Sequence, residues 1–191
     1  MSLIVYIHGF NSSASSYKAG VIQSAIQDHD KELQFWCPDL PHWPNEAVAC
    51  LEREISQHDE VTLIGSSLGG YYATYLTERL GHRCVLINPA ITPHEGLSAY
   101  VGKQTNLYTK EEYEFTVDHL SQLKALYVDG LSRLDRIFLI HTTGDELLDW
   151  KVAVKRYDGA RQLIIQGSDH GFGDFGKYVD LVMAYVVDPS L

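Results

Sequence analysis

Short runs of consecutive apolar residues, rich in Val, Ile, Leu and aromatic side chains, punctuate the chain. They read SLIVYIH at 2–8, LQFWC at 33–37, EVTLIGS at 60–66, CVLIN at 84–88, RIFLIHT at 136–142 and RQLIIQ at 161–166. Runs this short and this continuously apolar predict strands covered on both faces, as in a parallel sheet. Between them apolar positions return every three or four residues, the period of a helix with one buried face. Tyr17, Val21, Ile22 and Ile26 align in this way, as do Val48, Leu51 and Ile55, and Tyr178, Leu181, Val182, Tyr185 and Val186. A further helix is expected over 68–80, stopped by Gly81 as its C-terminal cap. Strands and helices in alternation predict an α/β fold, a parallel sheet of about six strands with helices on both faces.

At 191 residues the chain fits one domain spanning 1–191. Only one connection is long: residues 89–135 contain Pro89, Pro93 and a helix-like piece at about 110–127. A connection of that length is expected to be a lid-like insertion shaping a substrate site, with plain helical packing as the alternative. The serine tract NSSASS at 11–16 reads as a loop and helix N-cap, because periodic structure resumes directly after it.

Apolar residues make up 45% and charged residues 21%, the balance of a folded globular protein. A net charge of -10 and a pI near 5.2 repel phosphate backbones and anionic lipid surfaces, which argues against nucleic-acid or membrane partners. No apolar run approaches a membrane span, and MSLIVYIHGF lacks the basic region and long apolar core of a secretory leader. Cys37, Cys50 and Cys84 show no C-x-x-C spacing and each lies in an apolar stretch, so buried free thiols are expected. These features together predict a cytoplasmic protein.

The stretch GSSLGG at 65–70 falls between a predicted strand and a predicted helix. As a phosphate-cradling loop it fails, because Tyr71 and Tyr72 stand where Lys and Ser/Thr are required. As G-x-S-x-G it centres on Ser67, flanked by Gly65 and Gly69. That arrangement suits a nucleophile elbow, whose strained turn demands small residues two before and two after the serine. Centring on Ser66 instead puts Ile64 and Leu68 at those positions, where their side chains would clash. Gly171, Gly173 and Gly176 match G-x-G-x-x-G, but no strand follows to supply the ribose-binding acid, so they read as loop geometry around His170.

A serine hydroxyl needs a base to take its proton and a third group to fix the base's tautomer. Asp145 follows the strand RIFLIHT, and His170 follows RQLIIQ, so both are expected at the strand edge that carries Ser67. Asp149 is a second candidate acid, although its place near a helix start suits a cap. Asp169 directly precedes His170 and should point away from its ring, and His141 lies within a strand, the place of a core histidine. His42, His58 and His94 lack a matching context. Two backbone N–H groups would stabilise the developing oxyanion: that of Leu68, and that of Phe10 or Asn11 in the loop where Gly9 permits a tight turn. The nine histidines show neither H-E-x-x-H nor Cys/His ligand spacing, so no metal is expected. Phe10, Tyr71, Tyr100 and Phe172 either line an apolar pocket or pack in the core.

With YIHGFNSS at 6–13, GSSLGGYYAT at 65–74, NPA at 88–90, TGDELLD at 143–149 and DHGF at 169–172, the chain resembles the α/β-hydrolase superfamily, and within it the YqiA-type small bacterial esterases. The resemblance implies a trimmed α/β-hydrolase fold with strand order 2-1-3-4-5-6. It also implies esterase or thioesterase activity on a small-molecule acyl ester or acyl-CoA, without a cofactor. Substrate choice would reside in 89–135. Two other readings share the same residues: acyl transfer to an acceptor other than water, and a non-catalytic ligand-binding protein on a hydrolase fold.

Overall fold

The computed structural model describes residues 2–29 and 33–188. The chain runs from β1 (Ser2–Ile7) through α1 (Tyr17–His29), β2 (Leu33–Trp36) and α2 (Pro44–Ile55) to β3 (Val61–Ser66), α3 (Leu68–Leu80) and β4 (Arg83–Ile87). The long connection then carries α4 (Pro93–Gly96), an antiparallel hairpin of β5 (Gly102–Thr105) and β6 (Glu112–Phe115), and α5 (Val117–Ala125). It returns to β7 (Ile137–Thr142), α6 (Trp150–Arg156), β8 (Arg161–Ile165) and α7 (Val179–Val187).

Six strands form one sheet in the order β2-β1-β3-β4-β7-β8, and every pairing in it is parallel. Setting aside the separate hairpin, this is the 2-1-3-4-5-6 order. It is the sheet of a trimmed α/β-hydrolase fold. The order reverses at β1, so the loops after β1 and β3 face each other across a crevice at the strands' C-terminal ends.

The continuous apolarity of the strands has a direct cause. Alternate residues point to opposite faces, and both faces are covered. Leu3, Val5, Ile7, Leu63, Cys84, Leu86 and Leu139 pack against α2, α3 and α5 on one side. Ile4, Tyr6, Ile64, Val85, Ile87, Phe138 and Ile140 pack against α1 and α7 on the other. Each fully buried Leu or Ile contributes roughly 2 kcal/mol of transfer free energy, offset by the entropy of ordering the chain.

Several expectations need correction. Tyr17 is 49% exposed and Leu181 47% exposed; the stripe of α1 that meets the sheet is Ala19, Ile22 and Ile26. Nine residues, about two and a half turns, separate Tyr17 from Ile26 and put the two on opposite sides of the helix. The helix expected over 110–127 occupies only Val117–Ala125, because Glu112–Phe115 alternates polar and apolar residues and forms β6. The three cysteines are free thiols, but only Cys84 is fully buried; Cys37 and Cys50 are half-buried. Gly81 does cap α3, in the left-handed conformation (φ 82°).

The 89–135 connection is built in two ways. Leu123 and Leu126 enter the core, and the Tyr71 hydroxyl donates to the Leu123 carbonyl at 2.6 Å, which anchors α5 to α3. The hairpin lies instead over the loop that follows β1.

Candidate active site

Ser67 occupies the junction of β3 and α3 with φ 55° and ψ -120°. A non-glycine residue held there stores about 1–3 kcal/mol of strain, so its surroundings must over-determine it. They do so through the backbone: the Ser67 N–H donates to the Ile87 carbonyl at 3.0 Å, while its carbonyl accepts from Gly70 and Ala90, each at 3.0 Å. The flanking glycines are steric necessities. A Cβ on Gly65 would sit 2.3 Å from the Gly69 carbonyl oxygen, and one on Gly69 would sit 1.9 Å from that of Ile7. Ser66 is the last residue of β3 and is buried, whereas Ser67 is half-exposed in the crevice.

Asp145 and His170 arrive from the loops after β7 and β8. The His170 Nε2 lies 3.1 Å from the Ser67 Oγ, and its Nδ1 lies 2.8 Å from the Asp145 Oδ2. The other carboxylate oxygen of Asp145 accepts the N–H groups of Leu147 at 2.9 Å and Leu148 at 2.8 Å. The Asp145 side chain is 0% exposed. Burial pushes its pKa upward, but the hydrogen bond and charge of His170, with the two N–H donors, outweigh that and hold it below the ordinary carboxylate range. An ionised carboxylate only accepts hydrogen bonds, so the His170 proton sits on Nδ1 and the Nε2 lone pair faces the serine hydroxyl.

The alternatives fall elsewhere. Asp149 caps α6, accepting from the Lys151 N–H at 2.9 Å. Asp169 turns away and accepts the Phe172 N–H at 2.9 Å. His141 is 0% exposed in β7, and its Nδ1 lies 3.0 Å from the Thr142 carbonyl. Tyr71 and Phe172 belong to the core, Tyr100 is 44% exposed, and Phe10 packs edge-on between Tyr100 and Phe115.

Four residues outside the sequence expectations brace the site. The Glu146 carboxylate accepts the backbone N–H of His170 at 3.0 Å. Lys18 donates to the Gly171 carbonyl at 2.7 Å, tying α1 to the His170 loop. Gly144 lets the two loops touch, since a Cβ there would lie 2.4 Å from the Ser168 carbonyl oxygen. Asn88 bonds Thr142, joining the ends of β4 and β7. Glu146 and Gly144 lie in TGDELLD, but neither spacing nor residue type marked them.

The loop after β1 closes the other side. Gly9 lies against Ser67: a Cβ on it would be 3.1 Å from the Ser67 Cβ. His8 is buried, and its Nε2 accepts the Leu40 N–H at 3.1 Å, so the ring proton is on Nδ1, which donates to the Gly9 carbonyl at 3.0 Å. Burial lowers the pKa of His8, partly countered by the Gly9 carbonyl and Asp39, which favours the neutral ring that the Leu40 bond requires. In a planar trans peptide the Gly9 C=O and the Phe10 N–H point in opposite directions. A bond on the carbonyl therefore also restrains the N–H. Leu68 is the first residue of α3 and has no carbonyl one turn back to accept its N–H. Between Phe10 and Leu68 lies a narrow cavity of ≈ 50 Å³, walled by Leu40, His42, Tyr72 and Tyr113. A larger groove of ≈ 710 Å³ runs between α1 and α7, on Tyr17, Gly20, Ser24 and Val179, outside this crevice. Among the described residues no cluster of His, Cys, Asp and Glu has the makings of a metal centre, and no helix is long and apolar enough to cross a membrane.

Comparisons with known proteins agree with this architecture. The model of an uncharacterised protein family, UPF0227, matches residues 3–187. A UPF0227 protein of Yersinia pseudotuberculosis is 30% identical over 192 residues, covering 96% of this chain and 98% of its own. Among solved structures, alpha/beta hydrolase domain-containing protein 10 from mouse superposes with a TM-score of 0.75 at 14% identity, over 99% of this chain and 90% of that one. A monoacylglycerol lipase from Paleococcus ferrophilus superposes with a TM-score of 0.71 at 13% identity, over 97% and 93%.

Proposed function

Because the chain belongs to the UPF0227 family, within the α/β-hydrolase superfamily, we propose that it is a serine hydrolase acting on carboxylic esters or thioesters. The observation that carries this reading is the hydrogen-bonded series Ser67–His170–Asp145, at 3.1 and 2.8 Å, on an elbow that aims the serine into the crevice. Ser67 Oγ attacks the acyl carbonyl as His170 Nε2 takes its proton. Asp145 holds the Nδ1–H tautomer and stabilises the imidazolium that forms. The N–H groups of Leu68 and Phe10 receive the negative oxygen of the tetrahedral intermediate, each donor lowering the barrier by about 3 kcal/mol. The imidazolium then protonates the departing alcohol or thiol. Water, deprotonated by His170, attacks the acyl-enzyme, and the imidazolium returns that proton to the Ser67 Oγ as the acyl–oxygen bond breaks and the acid leaves.

A fluorophosphonate probe tests this reading. It should add one phosphonyl group to Ser67 in the wild type and none in Ser67→Ala. An unlabelled wild-type Ser67 would sink the proposal, as would hydrolysis of p-nitrophenyl acetate that survives Ser67→Ala.

A further inference from the structure

The β5–β6 hairpin has two chemically distinct faces. Gly102 pairs with Phe115 and Gln104 with Tyr113, and these four residues are buried or half-buried. Lys103, Thr105, Glu112 and Glu114 point the other way and are exposed. Among the described residues, the hydrogen bonds that this hairpin and its turn send beyond the 89–135 segment all end on Asn11 and Ser12. The Asn11 Oδ1 accepts from the Tyr113 hydroxyl at 2.7 Å, and its Nδ2 donates to the Gln104 Oε1 at 3.0 Å. The Asn11 carbonyl accepts the Leu107 N–H at 3.0 Å, and the Ser12 carbonyl accepts from the Asn106 amide at 2.8 Å.

Asn11 stands in the left-handed region with φ 52°, which asparagine tolerates better than most residues but which the rest of the loop must still enforce. The partners gripping it are themselves fixed. Gln104 donates to the Tyr100 carbonyl at 2.6 Å, and the Tyr113 ring stacks on His42 at 4.4 Å. Asn11 directly follows Phe10, whose N–H is the second oxyanion donor of the proposed mechanism. His8 restrains that peptide from the sheet side, and the hairpin restrains it from the solvent side.

We propose that the β5–β6 hairpin sets the oxyanion loop: Tyr113 and Gln104, by holding the Asn11 side chain, keep the Phe10 N–H aimed at Ser67, so the oxyanion hole is complete only while the hairpin is docked. This inference rests on the serine-hydrolase reading. Tyr113, Gln104 and Asn11 are positioning residues that act through Phe10. Tyr113 and Asn106 also wall the narrow cavity beside Leu68, so the same hairpin borders the crevice that holds Ser67.

Tyr113→Phe and Asn11→Gly separate positioning from folding. The first keeps the ring stack, and the second keeps the left-handed backbone while losing the side-chain bonds. Tyr113→Phe should lower kcat on p-nitrophenyl acetate by about 10- to 100-fold, with KM changed less than about twofold. It should also speed backbone amide exchange at residues 9–12. The double variant should be no slower than Asn11→Gly alone, because both changes break one linkage. A lowered thermal midpoint with unchanged kcat, or unchanged exchange at 9–12, would overturn the proposal. Absence of Ser67-dependent turnover in the wild type would instead overturn the serine-hydrolase reading, and the two failures are distinguished because exchange is read without substrate.

Discussion

Replacing Asp145 by asparagine tests the proposed mechanism at one proton. The Oδ1 of Asp145 receives two backbone N–H groups, from Leu147 and Leu148, and donors of that kind can face only an oxygen. The asparagine must therefore place its amide oxygen there and its NH2 group where Oδ2 stood, 2.8 Å from the His170 Nδ1. An NH2 group donates, so Nδ1 must lose its proton and Nε2 must carry one. The imidazole then presents N–H to Ser67 and cannot take the serine proton. Shape and packing are nearly unchanged, while the base is in the wrong tautomer. Loss of this function in a triad costs about 10³- to 10⁴-fold in kcat, or about 4–5.5 kcal/mol at 1.36 kcal/mol per decade. Steady-state hydrolysis of p-nitrophenyl acetate near neutral pH, with Ser67→Ala as the floor, measures it. Asp149→Ala is the control: it should cost about 1 kcal/mol of stability through the lost cap of α6 and leave kcat nearly unchanged. The reasoning is refuted if Asp145→Asn retains activity within about tenfold of wild type, or if the Asp149 variant is the more damaged of the two.

The fold and its electrostatics give two more tests. Gly69→Ala places a methyl group 1.9 Å from the Ile7 carbonyl oxygen, so the start of α3 must retreat from β1 by about 1 Å or more. Thermal denaturation should show a loss of about 1–3 kcal/mol, and displacement of Ser67 should cost about 100-fold in kcat; wild-type stability and rate together would contradict the close approach. Asp145 has a folded-state pKa held below the ordinary carboxylate value, so its contribution to stability is fully present above the unfolded pKa of about 3.9 and is lost as pH falls through the lower folded value. Urea unfolding of wild type and Asp145→Asn should thus differ while Asp145 is ionised and converge as pH falls below about 4; a gap that keeps its full size down to about pH 2 would contradict it.

Much of the molecule is legible in local pattern. The apolar runs located all six strands of the main sheet, because strands sandwiched between two helical layers must be apolar on both faces. The G-x-S-x-G frame singled out Ser67 over Ser66 on sterics alone, and the close approaches at Gly65 and Gly69 are of the kind that choice required. The hairpin escaped notice because four-residue strands carry little signal: Gly102–Thr105 has no apolar residue, and Glu112–Phe115 adjoins a helical stretch. Glu146 and Lys18 act on backbone atoms of the His170 loop, and an interaction with a backbone atom leaves no complementary residue type to find.

By itself the sequence determined what neighbours along the chain can decide: strand and helix periods, the tight elbow at Ser67, the cap at Gly81, and which serine, acid and histidine follow strands. Those are set by local sterics and by the side-chain period of each element. Only the tertiary structure decided what meets across the chain: the bond between Tyr113 and Asn11, 102 positions apart, the bond from the Leu40 N–H to His8, and the meeting of Ser67, Asp145 and His170. Contacts of this kind depend on where loops from separate strands converge, and the free energy that fixes them comes from the packed sheet rather than from any segment of chain.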